Sequence, residues 1–205
     1  MENLFNLFVR NVFIENMVFA YFLGMCSYLA VSKTVKTAVG LGVAVIFVMV
    51  VTVPVNWLME NYLLKAGALK WLGASFQDVD LEFLSFLLFI AVIAAMVQLI
   101  EMVIEKAAPA LYNALGIFLP LIAVNCSILG ASLFMQEREY GTIAEASVFA
   151  LGAGVGWAMA IIVLAAIREK LKYSNVPAPL RGLGLAFILT GLLAIAFMGF
   201  GGIKI

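Results

Sequence analysis

The sequence contains no histidine. Imidazole is therefore absent as general base, metal ligand and haem ligand, which excludes Ser-His-Asp and Cys-His nucleophilic chemistry. Charge is also scarce. Only 12% of residues are Asp, Glu, Lys or Arg, against roughly 25% in an average soluble domain. The 12 basic and 12 acidic residues cancel, so no basic surface stands ready for nucleic acid. Cysteine occurs twice in 205 residues, too rarely for a disulfide framework of the small secreted type. The opening MENLFNLFVRN lacks the basic n-region and small-residue cleavage site of a signal peptide, so the first apolar segment is read as mature structure.

What fills the chain is apolar. Hydrophobic residues make up 65% of it, and the mean hydropathy is +1.14. Six long apolar segments lie at about 8–31, 38–58, 81–104, 111–134, 143–167 and 183–200. Each is long enough to cross a hydrocarbon core of ~30 Å as a helix. They are too long and too little alternating for barrel strands. The expectation is an all-α integral membrane protein of six transmembrane helices, in a single membrane domain spanning 1–205.

The connectors are short: SKTVK, the 60–80 stretch, EKAAP, QEREYG and REKLKYSNVPAPLRG. None holds a soluble catalytic domain. Arg10, Lys65, Lys70, Arg138 and Lys204 fall on one predicted side. Lys33, Lys36, Lys106, Arg168, Lys170, Lys172 and Arg181 fall on the other. The second group is larger and lies near helix ends, which predicts that side in the cytoplasm and both termini outside.

The two cysteines share a phrase. G-M-C-S-Y-L-A occupies 24–30, and V-N-C-S-I-L-G occupies 124–130. A shift of about one hundred residues lays segment one on segment four, and segments two and three near five and six. Three-helix units have an odd number of crossings, so two in tandem have opposite orientations. The expectation is an inverted repeat, with unit one at about 1–106 and unit two at about 107–205. Gly24 lies before the first cysteine, and Pro120, Asn125 and Gly130 surround the second. Helices 1 and 4 are therefore expected to be interrupted near the cysteines.

A lone cysteine in an apolar helix is commonly a small packed hydrophobe. Two that share a motif and a repeat position invite a ligand reading. Without histidine, thiolates suit soft metals and iron–sulfur clusters. A two-iron cluster normally takes four thiolates, and this chain offers two, so the reading calls for a partner. Two rivals remain open. One is a secondary transporter with packing cysteines, since inverted repeats with broken helices also bind solutes at the midplane. The other is an assembly subunit whose thiols form a disulfide.

Several stretches carry a resemblance over essentially the whole chain. They are FIENMVFAYFLGMCSYLAVSK (13–33), VPVN (53–56), LYNALGIFLPLIAVNCSILG (111–130), GVGW (154–157) and IREKLKYSNVPAPLRGLG (167–184). On these the chain resembles the E-subunit family of sodium-translocating NADH:quinone reductases (Nqr), with the Rnf-complex A subunits as relatives. VPVN and KYSNVP favour the quinone-reductase branch. The resemblance implies a six-helix inverted repeat and a homologous D subunit packed in the opposite orientation. It also implies an intramembrane 2Fe–2S cluster shared between the two subunits, with Cys26 and Cys126 at the matching ligand positions. Gly24, Met25 and Asn125 are then candidate surroundings of the cluster. NADH, flavins and quinone are implied to sit on other subunits (A, B, C and F). The complex is implied to lie in the bacterial inner membrane and to export Na+ as electrons pass from NADH to quinone.

Three features need separate weighing. Glu15 lies in or near an apolar segment, where a carboxylate is costly and suggests a sodium path; local pairing with Arg10 is the plainer alternative. Asn125 and Asn113 flank the second cysteine segment. Asn125 is expected either to donate to a cluster sulfur or to break the helix with its amide satisfied by backbone. Gly152, Gly154 and Gly156 lie in an apolar run with no preceding strand, so they do not make a dinucleotide fingerprint. Close helix packing through Gly152 and Gly156 is expected instead, and the same is expected of Gly182 and Gly184. The loop 168–177 is expected to act as a cytoplasmic anchor or to dock the electron donor.

Overall fold

The computed structural model describes residues 4–64, 84–107, 119–177 and 180–202. Every regular element among the described residues is helical. Helix α1 (Leu4–Val9) runs on through a π-helical turn, Arg10–Ile14. An irregular stretch, 15–24, precedes α2 (Met25–Val31). Helix α3 (Val35–Met59) is prolonged by a second π turn, Glu60–Leu64. Then follow α4 (Ser85–Ala107), α5 (Leu119–Ala123), α6 (Cys126–Glu137), α7 (Ile143–Leu171) and α8 (Leu183–Met198), which ends in a 3-10 turn, Gly199–Gly202.

Among the described residues, four stretches are long and apolar enough to cross a membrane: Val35–Leu64, Ser85–Val103, Ile143–Leu171 and Leu183–Gly202. They correspond to the second, third, fifth and sixth apolar segments. Helix α7 is central, with 67% of its apolar window buried, whereas α4 and α8 bury 17% of theirs and are peripheral. Their exposed Leu87, Leu99, Phe187 and Leu192 form the apolar outer face expected in lipid.

Small residues set the packing around α7. In lipid, helices gain little from hydrophobic transfer, so close backbone approach through small residues carries association. A Cβ on Gly42 would stand 2.9 Å from Ala158 Cβ, and one on Gly154 would stand 3.0 Å from Ile46 Cα. These contacts join α3 to α7. Gly152 and Gly156 receive the N-terminal segment: a Cβ on Gly152 would stand 3.1 Å from the Phe8 carbonyl oxygen, and one on Gly156 3.1 Å from those of Asn11 and Val12. The packing role expected of Gly152 and Gly156 is thus present, and Gly154 shares it. Gly182 and Gly184 do not pack this way. Both are exposed, and nothing lies within 4 Å of a Cβ on Gly182. Gly182 instead has φ +91°, which turns the chain into α8.

Helices α3 and α7 run antiparallel. At one end the Val35 amide donates to Glu169 (3.4 Å); at the other, Trp57 Nε1 donates to the Tyr140 carbonyl (2.8 Å). Helix α3 starts earlier than hydropathy suggests because Thr34 caps it, accepting from the Thr37 amide. Helix α7 outlasts its apolar run by four residues. Basic Arg168 and Lys170 suit the negative end of the helix dipole, and their long stems reach water from there. Its start carries a full capping box between Thr142 and Glu145.

Candidate metal centre

The first and fourth apolar segments are broken. In the first, ten residues (15–24) leave the helical path within an apolar segment, and Asn16, Met17, Val18 and Phe19 are buried, where unpaired backbone groups would be costly. Asn16 satisfies several of them. Its Nδ2 donates to the carbonyls of Val12 (3.0 Å) and Gly156 (2.8 Å), and its Oδ1 accepts from the amides of Val18 (3.0 Å) and Phe19 (3.3 Å). The stretch ends at Gly24, whose φ of +75° is readily reached only by glycine. In the fourth segment the break is shorter. Asn125 leaves the helix in extended geometry and restarts it, with Oδ1 accepting from the Ser127 amide (3.1 Å) and the Ser127 hydroxyl (2.9 Å).

The two breaks touch. A Cβ on Gly24 would fall 2.6 Å from Asn125 Oδ1, 3.0 Å from Ser127 Oγ and 2.5 Å from Trp157 Nε1. From this junction the cysteine helices depart in opposite directions. Helix α6 runs back along the first segment: Gly130 meets Leu23, the Phe134 and Tyr21 rings lie 4.5 Å apart, and Arg138 reaches Glu15. Helix α2 runs to the other end, where Arg168 donates to the Leu29 carbonyl (3.1 Å) and the Ser32 hydroxyl (2.7 Å). Seven residues of α2 and twelve of α6 place the junction about 10 Å from one end and about 18 Å from the other. It therefore sits near mid-depth of a ~30 Å core.

Cys26 is the second residue of α2 and Cys126 the first of α6. Both are free thiols and both are exposed. The serines that follow them, Ser27 and Ser127, are fully buried. One side of each phrase thus locks the junction, with Ser27 Oγ donating to the Gly24 carbonyl (3.1 Å). The other side presents sulfur outward. Met25 is partly buried against the core. Asn125 is 2% exposed, and its Nδ2 has no partner among the described residues, like Trp157 Nε1. Its oxygen therefore follows the helix-breaking expectation, while its amide nitrogen remains a spare donor. No group of three or more His, Cys, Asp or Glu among the described residues is arranged to hold a metal ion. Two thiols are half of the four thiolates that a two-iron cluster normally takes.

Glu15 lies at the Tyr140 end, 14% exposed. It pairs with Arg10 (2.8 Å) and with Arg138 (2.5 Å). Arg138 also reaches Asn11 Oδ1 (3.5 Å) and lies over the rings of Phe134 and Phe149. Burial works against the Arg138 charge, but Tyr140 and Glu15 outweigh it and hold its pKa above the ordinary guanidinium value. Asn113 lies outside the described residues.

Three junction residues were not singled out for this role by the sequence: Trp157, Ser27 and Ser127. The serines stood inside the repeated phrase, and Trp157 closed GVGW. The overlooked signal was polar atoms recurring beside glycine in apolar runs.

Residues 4–204 match the family described as "Rnf-Nqr subunit, membrane protein". The chain is 60% identical over 204 residues to the E subunit of the Na(+)-translocating NADH-quinone reductase of Maridesulfovibrio salexigens, covering 100% of both chains. It is 60% identical over 200 residues to the protein of the same name from Psychrobacter cryohalolentis, covering 98% of each. It is 59% identical over 205 residues to that of Methylococcus capsulatus, covering 100% of both. With four apolar spans among its described residues and a match along nearly its whole length, the chain belongs to the Rnf-Nqr family of membrane-protein subunits.

Proposed function

We propose that this chain is the E subunit of a sodium-translocating NADH:quinone reductase, seated in the bacterial inner membrane with both termini outside. Its work is electron transfer within the complex. Cys26 and Cys126 supply two ligands of a 2Fe–2S cluster, and the homologous D subunit supplies the other two. The observation that carries the reading is the pair of exposed thiols on helices leaving one mid-depth junction in opposite directions. Two tandem three-helix units of opposite orientation, at about 1–106 and 107–205, account for that arrangement.

The donor set fits the group. Thiolates are the usual ligands of such clusters, and a two-iron cluster needs four of them. When bound, the cluster supplies a one-electron redox centre inside a barrier of ~30 Å. The chain's own residues hold the thiols in place. Gly24 lets the two breaks touch, Asn125 and Ser127 cap one, and Ser27 bonds back across the other. The spare Asn125 Nδ2 donor is available to the cluster surroundings, where second-shell hydrogen bonds tune potential. Nucleotide, flavin and quinone chemistry falls to the other subunits (A, B, C and F). The shared quinone-reductase name of the relatives supports this branch over the Rnf branch.

The test uses the assembled complex. Iron, acid-labile sulfide and EPR spectra are measured in the wild type, Cys26→Ala and Cys126→Ala. Each variant is expected to lose one cluster's worth of iron and its spectrum while retaining subunit composition. Unchanged iron and spectra in both variants would remove the ligand assignment and favour packing cysteines.

A further inference from the structure

At the end of the bundle opposite Glu15, the chain forms a basic cavity of about 550 Å³. Four cationic side chains line it: Lys33, Arg168, Lys172 and Arg181. No carboxylate is among its described lining residues, and Glu169 is engaged by the Val35 amide. The two guanidiniums are fixed in place. Arg168 Nη1 is held by the Leu29 carbonyl and the Ser32 hydroxyl, and Arg181 Nε donates to the Val176 carbonyl at 2.9 Å. Gly182 opens onto the same cavity as the N-cap of α8, and no side-chain bond caps that helix. Its first amides therefore add to the positive field.

We propose that this cavity binds the phosphodiester headgroup of an anionic phospholipid. The proposal does not depend on the cluster assignment. Its position favours lipid over a soluble anion. The cavity sits where the spanning helices α7 and α8 meet the interface, and Tyr173 stands 94% exposed on the same loop. Leu183 and Phe187, both more than half exposed, begin an apolar strip that runs down α8 from the cavity. Headgroup and acyl chains thus both find matching surfaces. Guanidiniums held in fixed geometry suit phosphate oxygens, and basic pockets between membrane helices are a known setting for acidic headgroups.

The test compares the purified complex in nanodiscs of phosphatidylcholine, with and without phosphatidylglycerol. Retained lipid is read by mass spectrometry and thermal unfolding by fluorescence. The variant is Lys33→Gln/Lys172→Gln, which breaks no hydrogen bond described above. It is expected to bind phosphatidylglycerol roughly 30-fold more weakly, as two near-surface lysine contacts are lost, and to lose the stabilisation that lipid gives the wild type. Lys36→Gln/Lys170→Gln, outside the cavity, is expected to behave as wild type. Equal loss in both variants would overturn the site in favour of a diffuse surface potential. Equal protection by inorganic phosphate would overturn the lipid assignment. Loss of another subunit from the Lys33→Gln/Lys172→Gln complex would overturn it in favour of a protein interface, and unchanged retention would overturn it outright.

Discussion

Gly24→Ala is the most exacting perturbation of the junction. Two costs act at once. The residue sits at φ +75°, and a left-handed conformation costs an L-residue roughly 1–2 kcal/mol. The new methyl would also meet Trp157 Nε1 at 2.5 Å and Asn125 Oδ1 at 2.6 Å. Both are far inside ordinary contact, and both atoms belong to buried side chains. Overpacking of this kind typically costs about 1–3 kcal/mol. The total, about 2–5 kcal/mol, is a large part of a typical stability of roughly 5–15 kcal/mol. The junction is expected to relieve the clash by separating Gly24 from Asn125, which moves Cys26 relative to Cys126. The assay is thermal unfolding of the purified complex, with iron content and EPR measured on the same sample. On the scale of a 150–250-residue domain, the melting temperature should fall by roughly 4–20 °C, with iron lost in parallel. Gly191→Ala is the control. A Cβ there meets nothing within 4 Å, and removing glycine from the interior of α8 should be neutral or stabilising by up to about 1 kcal/mol. Wild-type melting and wild-type iron in Gly24→Ala would refute the claim that this contact sets the spacing of the thiols.

Two further outcomes follow from the ends of the bundle. Arg168→Gln removes the charged donor to the Leu29 carbonyl and Ser32 hydroxyl, bonds that contribute roughly 1.5–3 kcal/mol each; faster protease cleavage near 29–36 is expected, and an unchanged digestion rate would show that α2 does not rely on this anchor. Glu15→Gln weakens the pairs to Arg10 and Arg138, each worth about 1 kcal/mol or less when partly exposed. On the sodium path that the sequence suggests for Glu15, a cation must displace one of these guanidiniums, so Na+ transport per electron should drop more than NADH oxidation does; an unchanged ratio in vesicles would leave Glu15 a structural ion pair.

Much of the fold was legible because lipid leaves few options. Runs of some twenty apolar residues give helices, and α3, α4, α7 and α8 follow their segments closely. The breaks were signalled too, since Gly24 and Asn125 are poor continuers of a helix. Their extents were not legible. The first break spans ten residues and the second only two, because Asn16 accepts from two non-helical amides and ties the break to the Val12 and Gly156 carbonyls. Hydropathy cannot register such partners. The misreading of Gly182 and Gly184 has the same cause: a glycine in a pattern does not say whether a neighbour is near.

By itself, the sequence determined that this is a helical membrane chain with two thiols in a repeated phrase and no histidine chemistry. Composition and period decide that much, because each is local. It also limited any thiolate cluster to half of its ligands. Only the tertiary structure brought Gly24 against Asn125, Ser127 and Trp157, residues separated by more than a hundred positions. Only the structure buried Ser27 and Ser127 while leaving Cys26 and Cys126 exposed. The reason is packing. Two broken helices satisfy freed backbone amides through Asn16 and Asn125 and pack against each other and against α7, and that contact, which no local pattern encodes, fixes where the sulfurs face.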